Sequence, residues 1–212
     1  PYPVTMVTGK VINKLTGKPI KAVVNYDQLP EGIEVGEATT DPKTNLYKVV
    51  IPQDDMYSLH ATIEGYYPIA TRIDKENVSD HHYHQLKKEL YVVPLVEGEI
   101  VLMNNIRFER SKAEFLDFST PELERLADFM KIKPNSVIKL IGHTDNQGAR
   151  DWNLKLSVER VKKVKSFLMS QGIEGKRIKM EGKGGTAPIT ENDKEENRAK
   201  NRRVEVQFIK IN

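Results

Sequence analysis

Apolar and polar positions alternate in short runs over the first half of the chain and fall into a helical period over the second. The early runs are rich in Val, Ile, Thr and Tyr: Val4 to Ile12, Ile20 to Asp27, Val35 to Thr40, Leu46 to Ile51, Tyr57 to Ile63, Tyr67 to Ile73 and Leu86 to Leu95. Turn chemistry separates them, as at Thr16-Gly17-Lys18-Pro19, Asp41-Pro42-Lys43-Thr44-Asn45 and Glu64-Gly65-Tyr66, and no helix-period segment interrupts them. Seven short strands in succession predict a small all-β sandwich.

The period then changes. Val101 to Phe108 reads as a strand, and Ser119-Thr120-Pro121-Glu122 supplies a helix start: a cap, a proline in the first turn and an acid near the positive helix end. Leu123, Leu126, Ala127 and Met130 follow at i, i+3, i+4 and i+7, one apolar face, until Pro134-Asn135 stops the helix. Val137 to Ile141 predicts another strand, Gly142 to Gly148 a polar loop, and Arg150 to Met169 a long helix with Leu154, Val158, Val161, Val164 and Leu168 as its buried stripe. Gly172 stands where a helix-ending glycine is expected. Ile178 to Glu181 and Val204 to Ile209 complete four strands, so this half reads as an α/β domain with helices packed on a mixed four-stranded sheet.

The chain length of 212 residues fits two small domains, and a hydrophobic share of 38% with 30% charged residues excludes a disordered polyelectrolyte. Charge divides the halves: residues 1–97 hold ten Lys/Arg against thirteen Asp/Glu, a net of −3, and residues 98–212 hold 23 against 17, a net of +6. The domain boundary is accordingly expected near Glu97-Gly98, giving domains 1–97 and 98–212. No apolar run approaches the roughly 18 residues that span a bilayer. The opening Pro1-Tyr2-Pro3 reads as a piece of a longer protein, with membrane contact expected only through an anchor ahead of it. Zero Cys excludes disulfides, thiolate metal sites and thiol nucleophiles.

Candidate chemistry concentrates in Gly142-His143-Thr144-Asp145-Asn146-Gln147-Gly148 and the helix after it. Asp145 falls just past the end of a strand, where α/β sheets place ligand crevices. Asn153 and Arg160 are seven apart and share a helix face, so an anion, an amide and a guanidinium converge on one mouth of the sheet. Asn197-Arg198-Ala199-Lys200-Asn201-Arg202-Arg203 brings further basic groups to the start of the last strand.

At these residues the second half resembles the OmpA-like C-terminal domain, a family that binds peptidoglycan non-covalently in Gram-negative envelopes. The likeness spans about Ile100 to Ile209. It rests on Gly142-His143-Thr144-Asp145, Asn153 with Leu156-Ser157 and Arg160, Gly172-Ile173, Arg177-Ile178, Gly182 with Pro188-Ile189, and Asn201-Arg202-Arg203-Val204-Glu205. The resemblance implies that Asp145 and Arg160 clasp the free end of meso-diaminopimelate in the stem peptide, with Thr144, Asn153, Leu156 and Arg202 lining the pocket. That end carries an ammonium and a carboxylate on one carbon, and arginine meets a carboxylate with two parallel hydrogen bonds. Around Phe108-Glu109-Arg110-Ser111-Lys112 the sequence departs from the commoner pattern, and Glu109 and Ser111 are expected in the places of an aspartate and a small polar residue.

The first half, opening Thr8-Gly9-Lys10-Val11-Ile12-Asn13-Lys14-Leu15-Thr16-Gly17-Lys18-Pro19-Ile20, resembles the carboxypeptidase regulatory-like, transthyretin-related β-sandwich, a non-catalytic spacer or docking module. In tandem the two resemble the C-terminal part of multidomain envelope lipoproteins, PorE-like components of type IX secretion among them. The resemblance implies a periplasmic location at the outer membrane and cell wall, partners in an envelope or secretion complex, no cofactor and no enzymatic activity. A peptidoglycan hydrolase or amidase using His143 and Asp145, and a docking protein with a vestigial pocket, are the competing readings.

Other features have plainer readings. Metal at His143-Thr144-Asp145 lacks a full ligand set, and His143 is expected to hold the loop by a hydrogen bond. His81-His82-Tyr83-His84 reads as a solvated loop and Asp54-Asp55 as a turn. Lys155, Lys162, Lys163 and Lys165 form a solvated face with no interleaved aromatics, so nucleic acid is not expected as a partner. Trp152 either closes one end of the helix or flanks the pocket.

Overall fold

A computed structural model describes residues 3–74 and 83–211; His81 and His82 lie outside them. The chain divides into two compact units, Pro1–Leu95 and Val96–Asn212.

The first unit holds β1 (Val4–Asn13), β2 (Val23–Leu29), β3 (Ile33–Thr39), β4 (Leu46–Pro52), β5 (Met56–Thr62), β6 (Tyr66–Ile69), β7 (Thr71–Ile73), β8 (Tyr83–Lys87) and β9 (Leu90–Pro94). One sheet runs β4-β1-β9-β6 with β8 also on β1, and the other runs β3-β2-β5-β7. Strict alternation makes β4 amphipathic, with Tyr47, Val49 and Ile51 buried and their neighbours exposed. Val7, Val11, Tyr47 and Leu90 from one sheet share a single core with Val24, Leu59, Ala61 and Ile73 from the other.

Nine strands among the described residues replace the seven expected runs, because two runs each break in the middle. Tyr67 to Ile73 changes sheets at the buried Ala70: β6 pairs with β9, while β7 pairs with β5 in the opposite sheet. The run ending at Leu95 pairs parallel with β1 twice, Tyr83–Lys87 against Val4–Thr8 and Leu90–Pro94 against Val11–Asn13. Between them the Lys88 carbonyl presses on Gly9, where a Cβ would lie 1.8 Å from that oxygen. The inward Tyr47 hydroxyl donates to the same carbonyl at 2.6 Å. Hydrophobic periodicity is blind to such backbone crowding.

The second unit contains β10 (Ile100–Leu102), α1 (Thr120–Ile132), β11 (Val137–His143), α2 (Arg150–Ser170), β12 (Ile178–Gly184), α3 (Glu195–Asn201) and β13 (Val204–Lys210). Its sheet order is β10-β13-β11-β12. β13 is antiparallel to both neighbours and β11 is parallel to β12, so the sheet is mixed. α2 packs along β11 and β12 and touches α1, whose Phe129 ring meets Phe208 of β13 at 5.7 Å.

The first strand of this unit is shorter than the expected Val101 to Phe108. Pairing with β13 stops at Leu102, and Phe108 returns only as an isolated bridge to Phe115. All four residues of the predicted α1 stripe are buried. The cap differs: Ser119 makes no cap bond to its own helix, and its hydroxyl accepts from the Arg107 amide at 3.0 Å and donates to the Arg107 carbonyl at 3.1 Å. Glu122 likewise turns away from the helix end and accepts the Asn105 amide at 2.5 Å.

On α2 the buried face is Asn153, Ser157, Arg160, Val161, Val164 and Leu168, whereas Leu154 is exposed and Val158 half-buried. The stripe holds over the last three turns and slips by one position over the first two. Polar side chains occupy the buried line there because the packed neighbours are main-chain groups that need partners, as described next.

Candidate functional site

β11 delivers its last residues to a loop fixed on both sides. The His143 amide donates to the Arg203 carbonyl at 2.9 Å and the Thr144 amide to the Gly184 carbonyl at 2.9 Å. From α2, Asn153 Nδ2 donates to the carbonyls of Gln147 at 2.9 Å and Asp145 at 3.4 Å. Ser157 Oγ accepts the Gly184 amide at 3.0 Å, which ties the end of β12 to the same helix. The polar half of the α2 stripe is therefore buried because it is bonded.

These contacts place Asp145 at a cavity of about 370 Å³ whose walls include Thr144, Asp145, Asn153, Leu156, Arg160 and Arg202. All six residues expected at the site meet there. Asp145 is anchored at both oxygens: Oδ1 accepts the Gln147 amide at 3.0 Å, and Oδ2 takes an ion pair from Arg202 Nη1 at 2.7 Å. Arg202 is held on its other side by Glu195, 2.5 Å from Nη2. Burial alone would lower the Arg202 pKa, and hydrogen bonds to Asp145 and Glu195 outweigh it and raise it.

Arg160 enters from α2 and is 3% exposed, which means its charge is almost wholly withdrawn from bulk water. Nε donates to the Lys112 carbonyl at 3.0 Å and Nη2 to the Glu109 carbonyl at 3.4 Å. The guanidinium also lies 5.0 Å from the centre of the Phe108 ring, a cation–π contact. Burial first, then the nearby Arg202, push its pKa down to about 10 against the pull of Asp145. It remains cationic at neutral pH, and an incoming anion would recover what burial cost.

The turn beneath Arg160 is the stretch where the sequence pattern was least informative. Ser111 adopts φ 58°, a left-handed conformation uncommon for a residue with a side chain, and Arg110 and Ser111 both line the cavity. Glu109 contributes its carbonyl to Arg160 while its carboxylate pairs with Lys112 at 2.5 Å; the expectation that it reaches the ligand place is not met by the cavity lining. Phe115 fixes the turn, 5.1 Å from Phe108 and 6.5 Å from Phe167 of α2.

Gln147, Gly148, Glu195 and Arg198 also line the cavity, as does the half-exposed Trp152, which flanks the pocket. Glu195 and Arg198 belong to the seven-residue α3, too short and too charged to announce itself by periodicity. Their only sequence signal was the density of bases before the last strand.

His143 does not reach the cavity. It is 1% exposed, and its Nε2 lies 3.3 Å from Glu205 Oε2 without a well-directed hydrogen bond from either ring nitrogen. The expected loop-holding bond from this ring is thus replaced by a buried contact with Glu205, which Arg203 also grips at 2.7 Å. His143 and Asp145 consequently do not face a common guest, as paired action on a substrate would need. Among the described residues, no group of three or more His, Asp or Glu side chains is placed to hold a metal. No helix among them is long and apolar enough to cross a membrane.

The OmpA family model matches residues 107–202, from the turn beneath Arg160 to the base that holds Asp145. Curated relatives include the probable lipoprotein YiaD of Escherichia coli (strain K12), 37% identical over 103 residues that cover 49% of this chain and 47% of that protein. The peptidoglycan-binding protein ArfA of Mycobacterium tuberculosis (strain ATCC 25618 / H37Rv) is 38% identical over 101 residues, 48% of this chain and 31% of that protein. The matches thus span about half or less of these relatives. Among solved structures, the cell wall anchor of the T6SS from Pseudomonas aeruginosa is 31% identical, with 52% of this chain and 80% of that chain covered and a TM-score of 0.45. Residues 107–202 of this chain are an OmpA-family domain.

Proposed function

We propose that the second unit binds peptidoglycan without covalent attachment, by gripping the free end of meso-diaminopimelate in the stem peptide. The observation that carries this reading is the shared cavity. Asp145 and Arg160 both face it, Asp145 is ion-paired to Arg202 instead of to Arg160, and a volume of about 370 Å³ lies within the walls. The Asp145 carboxylate takes the ligand ammonium on its remaining lone pairs, and the Arg160 fork takes the carboxylate. Charge-assisted bonds of this kind contribute roughly 1.5 to 3 kcal/mol each, so a few of them reach about micromolar affinity. Modest affinity suffices for a polymeric ligand, which offers the site again after each release.

A relative named as peptidoglycan-binding supports the same reading. On it, the chain works in the periplasm and tethers an outer-membrane-associated assembly to the cell wall. The first unit, with its likeness to carboxypeptidase regulatory-like domains, is the spacer or docking module of that assembly, for which type IX secretion is the candidate. Neither role involves catalysis.

The test is sedimentation with sacculi. Diaminopimelate-type walls are expected to pellet the protein, and Asp145→Ala or Arg160→Ala to abolish pelleting while circular dichroism stays native. Lysine-type walls should pellet it poorly, because lysine offers Asp145 an ammonium but gives Arg160 no carboxylate. Equal pelleting by both wall types, or retained pelleting of both variants on diaminopimelate-type walls, overturns the assignment, and release of soluble muropeptides would indicate a hydrolase.

A further inference from the structure

The cavity walls carry four guanidinium groups, Arg110, Arg160, Arg198 and Arg202, against two carboxylates, Asp145 and Glu195. Both carboxylates are engaged, Asp145 by Arg202 and Glu195 by Arg202 and Arg198. Arg160 rests on main-chain carbonyls, which carry no net charge. Arg110 is exposed, and the two acids on its own turn, Glu109 and Glu114, are both taken by Lys112. Among the described residues, then, no carboxylate is paired with Arg110. The lining has two formal positive charges beyond its carboxylates.

A zwitterion does not neutralise such an excess. The end of diaminopimelate brings one positive and one negative charge and leaves the local field as it found it. A wall built with two surplus guanidinium groups fits a guest with a further anion close to the first. Arg110 is also held to this side by its turn, since the left-handed φ of 58° at Ser111 places both residues on the cavity wall.

We propose that Arg110 forms a second anion subsite, which takes the α-carboxylate of the D-glutamate that precedes diaminopimelate in the stem peptide. This deepens the reading above and rests on it. The D-glutamate is joined to diaminopimelate through its γ-carboxyl, so its α-carboxylate hangs free beside the backbone, one residue from the gripped end. A guanidinium meets it with two parallel donors. In walls where that carboxyl is amidated, the charge and one acceptor oxygen vanish, and the amide presents N–H donors to a group that can only donate. The site therefore distinguishes free from amidated D-glutamate as well as diaminopimelate from lysine.

Calorimetric titration decides it, using L-alanyl-γ-D-glutamyl-meso-diaminopimelate and the same peptide amidated at the D-glutamyl α-carboxyl. For the wild type, amidation is expected to weaken binding about tenfold, the loss of one charge-assisted contact. Arg110→Gln should bind both peptides equally, at the weaker level, and Arg110→Lys should recover part of the difference. Equal affinity of the wild type for the two peptides overturns the inference. So does undiminished discrimination by Arg110→Gln, which would assign the carboxylate to Arg198 or Arg202. Asp145→Ala should lose both peptides; if it binds both as the wild type does, the diaminopimelate grip itself is wrong, a failure distinct from that of the second subsite.

Discussion

Arg202 Nη1 donates to Asp145 Oδ2 at 2.7 Å, so the acid offered by the loop after β11 is already held by a base from the end of α3. Asp145 and Arg202 are 57 positions apart in the chain, and each is fixed again from behind, by the Gln147 amide and by Glu195. A carboxylate has about four lone-pair sites, so two bonds orient it and leave the rest for a guest.

Removal of that support has a measurable sign. Arg202→Ala frees the carboxylate to rotate and is expected to weaken a diaminopimelate peptide about tenfold, or ~1.4 kcal/mol, less than Asp145→Ala does. Calorimetry checks this. Wild-type affinity would show that Arg202 does not orient the acid, and tighter binding would make it a competitor of the ligand ammonium.

Arg160→Lys keeps the charge and loses the fork. Lysine cannot span the carbonyls of residues 109 and 112 while presenting two parallel donors to a carboxylate. Affinity is expected to drop at least about tenfold, and the second unit to lose roughly 1 to 3 kcal/mol of stability from the carbonyls left unpaired. A urea titration and a binding isotherm on one preparation separate the two effects. Unchanged affinity would show that a point charge is enough.

Gly185 offers a test of positioning without any change of charge. A Cβ there would stand 2.5 Å from the Asp145 carbonyl oxygen, and main chain has nowhere cheap to go. Gly185→Ala should move the loop that carries the acid and weaken binding by about tenfold or more, as misplacement of a gripping group does, with native circular dichroism. Wild-type affinity in that variant would mean the loop adapts freely.

Stability should depend on pH through Glu122. Its carboxyl is 2% exposed, and burial pushes its pKa up to about 7, against the lowering pull of Arg125, Arg107 and the amides of residues 105 and 106. A carboxyl raised on folding holds its proton more tightly in the native state. Its stabilising contribution is complete below the ordinary carboxylate range and is lost as pH rises through about 7. Between pH 5 and pH 8 the unfolding free energy of the second unit should fall by on the order of 3 kcal/mol. Glu122→Gln should flatten that slope, and a parallel slope in the variant would assign the effect elsewhere.

The elements show which features a sequence makes legible. The α1 face could be read because its apolar residues meet an apolar neighbour, and so could the last three turns of α2, where Val161, Val164 and Leu168 are buried. The first two turns of α2 were misread because burial there follows hydrogen bonding: Asn153, Ser157 and Arg160 are inside by virtue of the main-chain groups they satisfy. The loop motif located Asp145, and helical spacing located Arg160, yet neither hints that Arg202 is the partner of the acid. That pairing arises from the antiparallel register of β11 and β13, which sets Gly142 beside Val204. Ser111 was named through the family resemblance, but Arg110 beside it was hidden for a different cause, since a left-handed turn at Ser111 leaves no periodic mark.

Arg160 stands on two carbonyls of a turn that Phe108, Phe115 and Phe167 pin to its own helix. Tension applied through a captured strand would accordingly spread into a helix and a separate stretch of backbone together, with no single rotatable side chain taking the load. If the second unit grips the wall as proposed, a pull on the wall would load both segments at once, and each release would leave the site ready for the next stem peptide of the mesh.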